Sequence, residues 1–304
     1  MRAGLILFLL VILLASVAAS QAETTIPLRT NGARVLITIK IGGVVIPDLL
    51  LDTGFAYDGV IIYNTRYLDS LDLSRAVDAQ IGGAGSGAAS KAAMIDSGCF
   101  RVGDAELTNQ RIILLRSDTY KGFPSNGVIG YSILGHYVTE INRDLGVIKL
   151  YLPGEAPIDT TWIPIPLYFK QNKIPWADVS VAIRDEPPTT LSTYIDFAEN
   201  DAVVLLDGPH MKVGLPDDTV SVYLGRGLSG DVYGKAGTIS KLIIGPYELA
   251  KVKASIAPAE IRSRQPGADA VLGSGALARF NLIFDYPDSK LYIKPAGHFS
   301  QPSN

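Results

Sequence analysis

Apolar and polar residues alternate with a period of two in two distant places, Ile37-Thr38-Ile39-Lys40-Ile41 and Val179-Ser180-Val181-Ala182-Ile183. That alternation puts every second side chain on one face and predicts half-buried strands. Two pairs of similar runs are separated by polar turn residues and predict hairpins. The first joins Tyr137–Ile141 to Val147–Tyr151 through Asn142–Gly146. The second joins Phe280–Phe284 to Lys290–Ile293 through Asp285–Ser289. Short helices are predicted between a glycine and each hairpin, at Tyr131–His136 and Ser274–Arg279. The fold class predicted is all-β.

The pattern occurs twice. Leu49-Leu50-Leu51-Asp52-Thr53-Gly54 is answered by Thr193-Tyr194-Ile195-Asp196-Phe197-Ala198. Glycine-rich Gly82–Gly87 is answered by Gly225–Gly230, and Val102–Leu107 by Ile244–Leu249. Gly127-Val128-Ile129-Gly130 is answered by Asp269-Ala270-Val271-Leu272-Gly273. The order is kept at a nearly constant offset, so the chain reads as two copies of a unit of about 140 residues, hence two similar lobes. The boundary falls in Pro153–Thr161, where proline and glycine end the last strand of the first copy. A second break falls at Arg184–Thr190, around Pro187-Pro188.

Before the first copy lies a different segment. Arg2 is its only charge, Leu5–Leu14 is apolar, and Ala15–Ala22 is made largely of small residues. This describes a secretory signal peptide over residues 1–22, with Ser20 and Ala22 preceding the cut and Glu23 starting the mature chain. The apolar run is short for a spanning helix, which disfavours an uncleaved anchor. The expected organisation is a signal peptide, a lobe over 23–153 and a lobe over 154–304. The expected location is secreted or periplasmic, with no stable membrane insertion once the signal is removed.

Composition narrows the function classes. The 304 residues are 47% hydrophobic and 19% charged, enough apolar material for a large core. A net charge of -3 gives no basic excess to neutralise phosphates, so nucleic acid is disfavoured as a partner. Thirty glycines and 18 prolines suit many strands joined by tight turns. A single cysteine, Cys99, excludes an intramolecular disulfide and a cysteine-based zinc site, and it reads as a buried apolar residue.

The sharpest chemical signal is Leu50-Leu51-Asp52-Thr53-Gly54. An apolar strand delivers a carboxylate onto a turn, threonine adds a hydroxyl, and glycine lets backbone approach closely. Two such turns face to face would hold two carboxylates that cannot both ionise, so one keeps a proton. The pair is then a matched acid and base able to activate water against an amide carbonyl. Asp-Thr-Gly alone is a common strand-ending turn. The second aspartate and the repeated glycine landmarks raise its weight.

These residues resemble the retropepsin-like aspartic proteases in their bacterial two-lobed, pepsin-like form, over nearly all of the mature chain. The hydrophobic–hydrophobic–Asp-Thr-Gly motif matches Leu50–Gly54. The later hydrophobic–hydrophobic–Gly element matches Val128-Ile129-Gly130 and Val271-Leu272-Gly273. The resemblance implies closed β-barrel lobes, flaps near 82–93 and 225–237, and one catalytic aspartate per lobe, Asp52 and Asp196. It also implies a peptide or protein substrate and no metal or other cofactor. Thr53, Gly54, Phe197 and Ala198 are the supporting residues of the two turns. The second turn departs from the pattern, because Phe197 stands for threonine and Ala198 for glycine. In the family the threonine hydroxyls bond across the turns, which a phenylalanine side chain cannot do. Phe55 is also bulky for its place. Two readings therefore stand: an exported aspartic endopeptidase, or a catalytically degenerate relative that binds peptides or a protein partner in the old cleft.

Other motifs are weaker. Gly225-Arg226-Gly227-Leu228-Ser229-Gly230 fits a dinucleotide fingerprint literally, but nothing after it reads as the required helix. His136, His210 and His298 lack metal-ligand spacing and suit surface or capping roles. Leu272-Gly273-Ser274-Gly275 lacks the full nucleophile-elbow pattern of serine hydrolases.

Overall fold

The computed structural model describes residues 24–82, 88–120, 123–170, 172–227, 230–258 and 265–300. The first half runs through β1 (Thr24–Pro27), β2 (Arg29–Asn31), β3 (Arg34–Ile41), β4 (Val44–Leu51), β5 (Gly59–Ile62), β6 (Val77–Ile81), β7 (Ser90–Val102), β8 (Ala105–Leu115), β9 (Gly127–Ile129), β10 (Val138–Asn142) and β11 (Val147–Tyr151). The second half runs through β12 (Ile163–Pro166), β13 (Tyr168–Phe169), β14 (Pro175–Ala182), β15 (Thr189–Asp196), β16 (Val203–Leu206), β17 (Val220–Gly227), β18 (Gly230–Ile244), β19 (Tyr247–Ala257), β20 (Ala270–Gly273), β21 (Phe280–Asp285) and β22 (Lys290–Pro295). Among the described residues the α-helices are Tyr131–Leu134 and Ser274–Leu277, each one turn and each starting directly after a glycine.

Two eight-stranded sheets form the lobes, in the orders β2-β3-β4-β9-β5-β8-β7-β6 and β13-β14-β15-β20-β16-β19-β18-β17. Extra pairings of β3 with β7 and of β14 with β18 close each sheet on itself. The two orders correspond strand for strand, which is the sequence repeat expressed as structure. In both, the strand that delivers the aspartate pairs in parallel with the strand that leads to the later glycine. Leu51 lies opposite Ile129, and Asp196 opposite Gly273. These central strands read as apolar runs rather than alternations because both their faces are covered. β5, β9, β16 and β20 are buried at every position.

The hairpins that end the two copies are not confined to their own lobes. β10 pairs with β21, Ile141 opposite Leu282 and Thr139 opposite Phe284, in a six-stranded sheet ordered β1-β11-β10-β21-β22-β12. One continuous apolar core runs from Val35 and Leu49 in the first lobe through Ile141 and Phe284 to Leu205 and Leu272 in the second. The six-stranded sheet is thus a shared floor that joins the lobes. The break expected at Arg184–Thr190 is the turn between β14 and β15. Among the described residues no helix is long and apolar enough to cross a membrane.

Candidate active site

β4 ends at Leu51 and the chain turns at once. The Asp52 N–H donates to the Ile129 carbonyl at 2.8 Å, so the strand beneath fixes where the turn begins. Asp52 Oδ1 accepts the Gly54 N–H at 2.6 Å, which orients the carboxylate. Gly130 must be glycine: a β-carbon there would stand 2.0 Å from the Asp52 carbonyl and 2.5 Å from that of Phe55. The later glycine element therefore lies directly under the turn. The second lobe repeats this. Asp196 Oδ1 accepts the N–H groups of Ala198 and Glu199, each at 3.1 Å. A β-carbon on Gly273 would stand 2.1 Å from the Asp201 carbonyl. Ser274, in the motif that resembled a nucleophile elbow, spends its hydroxyl on the Glu199 carbonyl at 2.6 Å.

The two turns meet at Gly54. A β-carbon there would stand 3.0 Å from Asp52 Oδ1 and 3.8 Å from Asp196 Oδ2, so the two carboxylates flank the same point. The φ of Gly54 is not positive. This glycine is required for space rather than for its backbone freedom. Ala198, its counterpart, also avoids positive φ, and its methyl packs against the first lobe's cluster of Leu36, Leu50, Phe55 and Tyr63. Phe55 is accommodated in that same cluster, with its ring 5.7 Å from Tyr57.

The missing second threonine has a specific consequence. The Thr53 hydroxyl donates to the Ile195 carbonyl at 2.6 Å and accepts the Phe197 N–H at 2.8 Å, both across the lobe boundary. Phe197 thus joins the cross-turn link through its backbone. Its side chain turns away into the core, fully buried, with its ring edge-on to Phe284 at 5.4 Å. One hydroxyl makes both of the cross-turn bonds that a side chain supplies here. A further brace comes from outside the turn pair, where the Ala33 N–H donates to Asn200 Oδ1 at 3.0 Å.

Both aspartates are partly accessible to solvent. Burial, together with the charge of Asp196, raises the pKa of Asp52 far above the ordinary carboxylate range. Burial likewise raises Asp196, against the lowering effect of the Ala198 and Glu199 N–H groups. Two carboxyls raised this way hold at least one proton between them at neutral pH. Burial, and after it the charge of Asp52, raises the phenols of Tyr63 and Tyr286 well above their ordinary value, so both stay neutral. Tyr63 stacks on Tyr120 with ring centroids 4.6 Å apart, and Tyr120 meets Phe123 edge-on. The Tyr286 hydroxyl is buried with no hydrogen-bond partner within the protein, and the residue borders a cavity of about 230 Å³ with Tyr131, Phe169 and Lys173. Lys173 crosses the lobe boundary to Asp58 at 3.0 Å, and Asp58 also meets His136 at 2.6 Å.

Three solved features were invisible to motif reading: Tyr63, Tyr286 and Glu199. The tyrosines sit among apolar residues with no motif around them. Glu199 directly follows the degenerate turn, where its charge was the available signal. Other sequence readings resolve as follows. Cys99 is exposed, not buried, because bulges at Gly98 and Cys99 turn its side chain outward. The glycine-rich stretch at 225–230 joins two antiparallel strands, β17 and β18, which rules out a strand-to-helix dinucleotide turn. Its Arg226 pairs with Asp231 across that hairpin at 2.7 Å. The corresponding hairpin of the first lobe is β6–β7, and residues 83–87 of the expected flap lie outside the described residues.

No family model matches the chain, and no curated protein matches it in sequence. A solved structure does: an aspartic proteinase from Irpex lacteus superposes with a TM-score of 0.57 at 10% identity, over 92% of this chain and 99% of that one. The fold is two-lobed and pepsin-like. At that identity the likeness speaks for the fold alone. The strand orders, the shared floor and the paired turns are then the features of a pepsin-like frame, with Asp52 and Asp196 at its centre.

Proposed function

We propose that this chain is an exported aspartic endopeptidase of the two-lobed retropepsin-like kind, with Asp52 and Asp196 as its catalytic pair. The observation that carries the reading is the Thr53 hydroxyl, which ties the two aspartate-bearing turns together from one side. A carboxylate pair of this type works only when both groups are held against one water. The ionised aspartate takes a proton from that water as its oxygen attacks the peptide carbonyl carbon. The protonated aspartate gives its proton to the carbonyl oxygen. The tetrahedral diol then collapses: one hydroxyl returns its proton to the aspartate pair as the C=O bond re-forms, the C–N bond breaks, and the amine leaves with the proton first taken from water. Burial keeps the single-proton state populated toward neutral pH.

Export rests on the character of residues 1–22. A second reading, a peptide-binding protein with a decayed catalytic centre, is favoured by one observation: position 197 supplies no hydroxyl to the cross-turn link. Cleavage of a diverse peptide library from pH 4 to 8 decides between them. Cleavage that is blocked by a statine-type transition-state mimic and absent in Asp52→Asn supports the protease. Peptide binding without cleavage, unchanged in Asp52→Asn, supports the binder.

A further inference from the structure

The first half of the Asp196 turn is gripped by the Thr53 hydroxyl, at Ile195 and Phe197. Its second half meets a different element of the first lobe. β2 and β3 are joined by the two-residue turn Gly32-Ala33, and this turn lies against Asn200, four residues after Asp196. The Ala33 N–H donates to Asn200 Oδ1 at 3.0 Å. Gly32 has a φ of 61°, and a β-carbon on it would stand 2.5 Å from the same oxygen. Glycine is therefore required twice over, for its backbone conformation and to let the carboxamide approach. Asn200 directly follows Glu199, whose N–H is one of the two that orient the Asp196 carboxylate.

The turn that makes this contact is itself held. Arg34 on β3 donates back to the Asn31 carbonyl and to Asn31 Oδ1, each at 3.4 Å. The Ala33 carbonyl accepts Arg143 Nη2 at 3.3 Å. Arg143 stands in the β10–β11 turn, where its N–H donates to Asn281 Oδ1 of β21 at 2.7 Å. A hydrogen-bonded path thus runs from the shared floor through Ala33 to the loop behind Asp196. The arrangement is reciprocal between the lobes. Lys173, in the matching turn between β13 and β14, reaches Asp58 in the loop after Asp52 at 3.0 Å. The two ties differ in kind. Lys173 and Asp58 are two flexible, open side chains, whereas Asn200 accepts a backbone N–H of a fixed turn. Four residues after Asp52 stands Ala56, whose side chain cannot accept a hydrogen bond.

We propose that Asn200 is a positioning residue for the aspartate pair, an inference that rests on the acid–base reading given above: its carboxamide ties the loop that orients the Asp196 carboxylate to the Gly32-Ala33 turn of the first lobe. Both aspartates must meet one water, and a carboxylate follows the N–H donors that orient it. Gly273 and Ser274 hold the loop within its own lobe, through the Ala202 and Glu199 carbonyls, but they do not set its place against Asp52. That place is set from the first lobe. With phenylalanine at 197, the threonine grip reaches residues 195–197 from one side. A loop tied at one end swings about the tie, and a second tie at Asn200 removes that freedom.

The test uses Asn200→Ala. Asn200 is exposed, so the variant is expected to fold with an unchanged urea midpoint. Amide hydrogen exchange followed by NMR is expected to quicken about tenfold at Phe197, Ala198 and Glu199 and to keep parent rates in the rest of the second lobe. Peptide cleavage is expected to lose about tenfold in kcat with KM unchanged, because the displacement falls on a reacting group and not on peptide binding. Asn200→Asp keeps the accepting oxygen and should hold exchange near parent rates. Gly32→Ala presses a methyl against Asn200 Oδ1 and should lower kcat more in the parent than in the Asn200→Ala background, since both act through one contact. Unchanged exchange at the three amides overturns the inference whatever the cleavage rate, and so does an unchanged kcat in a protein that cleaves. A lower urea midpoint with faster exchange spread over the whole lobe would show a merely structural role and overturn it too. If the unmutated protein cleaves nothing, the protease reading fails, while exchange at the three amides still decides whether Asn200 holds the turn.

Discussion

The hydroxyl of Thr53 and the backbone N–H of Phe197 meet across the lobe boundary at 2.8 Å, and the same hydroxyl donates to the carbonyl of Ile195. A single threonine thereby connects the two turns that carry Asp52 and Asp196. Replacing it by valine keeps the shape but leaves a buried donor and a buried acceptor unpaired, a loss of about 3 kcal/mol. Thr53→Val is expected to lower unfolding free energy by that amount in urea titration and to lower kcat about a hundredfold through misplacement of the pair. Thr53→Ser should recover most of both.

Phe197 is committed to the core, so restoring a threonine there has a cost. The ring it would remove is fully buried against Phe284. Phe197→Thr is expected to destabilise the protein by about 3 kcal/mol, and Phe197→Leu by less than half of that. Denaturant midpoints measure both. A Phe197→Thr protein as stable as the parent would mean that the new hydroxyl offsets the cavity.

The two glycines of the first lobe's site should fail in different ways. A β-carbon on Gly54 meets the Asp52 carboxylate, a side chain that can turn, at 3.0 Å. Gly54→Ala should fold and lose cleavage at least a hundredfold, because it displaces a reacting group. A β-carbon on Gly130 meets backbone oxygen at 2.0 Å. Gly130→Ala should therefore fail at the level of folding, seen as loss of soluble protein or a collapsed melting temperature.

Stability should fall between mildly acidic and mildly alkaline pH. Asp52, Asp196 and Glu199 are all raised in the folded chain, mainly by burial. A carboxyl with a raised folded pKa contributes stability that is fully present below its unfolded value and is lost as pH rises through its folded value. The window runs from the ordinary carboxylate range to about 7 for Glu199 and higher for Asp52. Asp58, lowered by His136 and Lys173 against burial, works in the opposite direction, but its contribution is lost only as pH falls below the ordinary carboxylate range. The urea midpoint is expected to be higher at pH 5 than at pH 8, and Asp196→Asn should flatten that difference.

The ion pair that bridges the lobes, Lys173 to Asp58, should matter little for stability. Its side chains are 45% and 37% exposed. Pairs this open are screened by water and contribute roughly 0–1 kcal/mol. Lys173→Ala is expected to change the unfolding free energy within that range, and the change should vanish in high salt.

Much of this protein was legible before any coordinates. The alternations at Ile37–Ile41 and Val179–Ile183 became β3 and β14 because a period of two fits only a strand with one covered face. The duplicated landmarks foretold two similar lobes. Asp52, Thr53 and Gly54 were marked by their motif, and Asp196 by its place in the repeat. These signals are local or periodic, so a linear string carries them. Tertiary structure decided what depends on contact between distant residues. Hairpins read as the ends of separate copies proved to share one sheet, since strand edges pair with whatever strand the fold brings beside them. Phe197, read as a defect, proved to be a core residue whose backbone still completes the link to Thr53. Cys99 faced outward because bulges shifted the strand's alternation. Tyr63, Tyr286 and Glu199 gained their raised protonation from burial and from neighbours' charge. Desolvation and Coulomb energy depend on distance in space, which the order of residues along the chain does not contain.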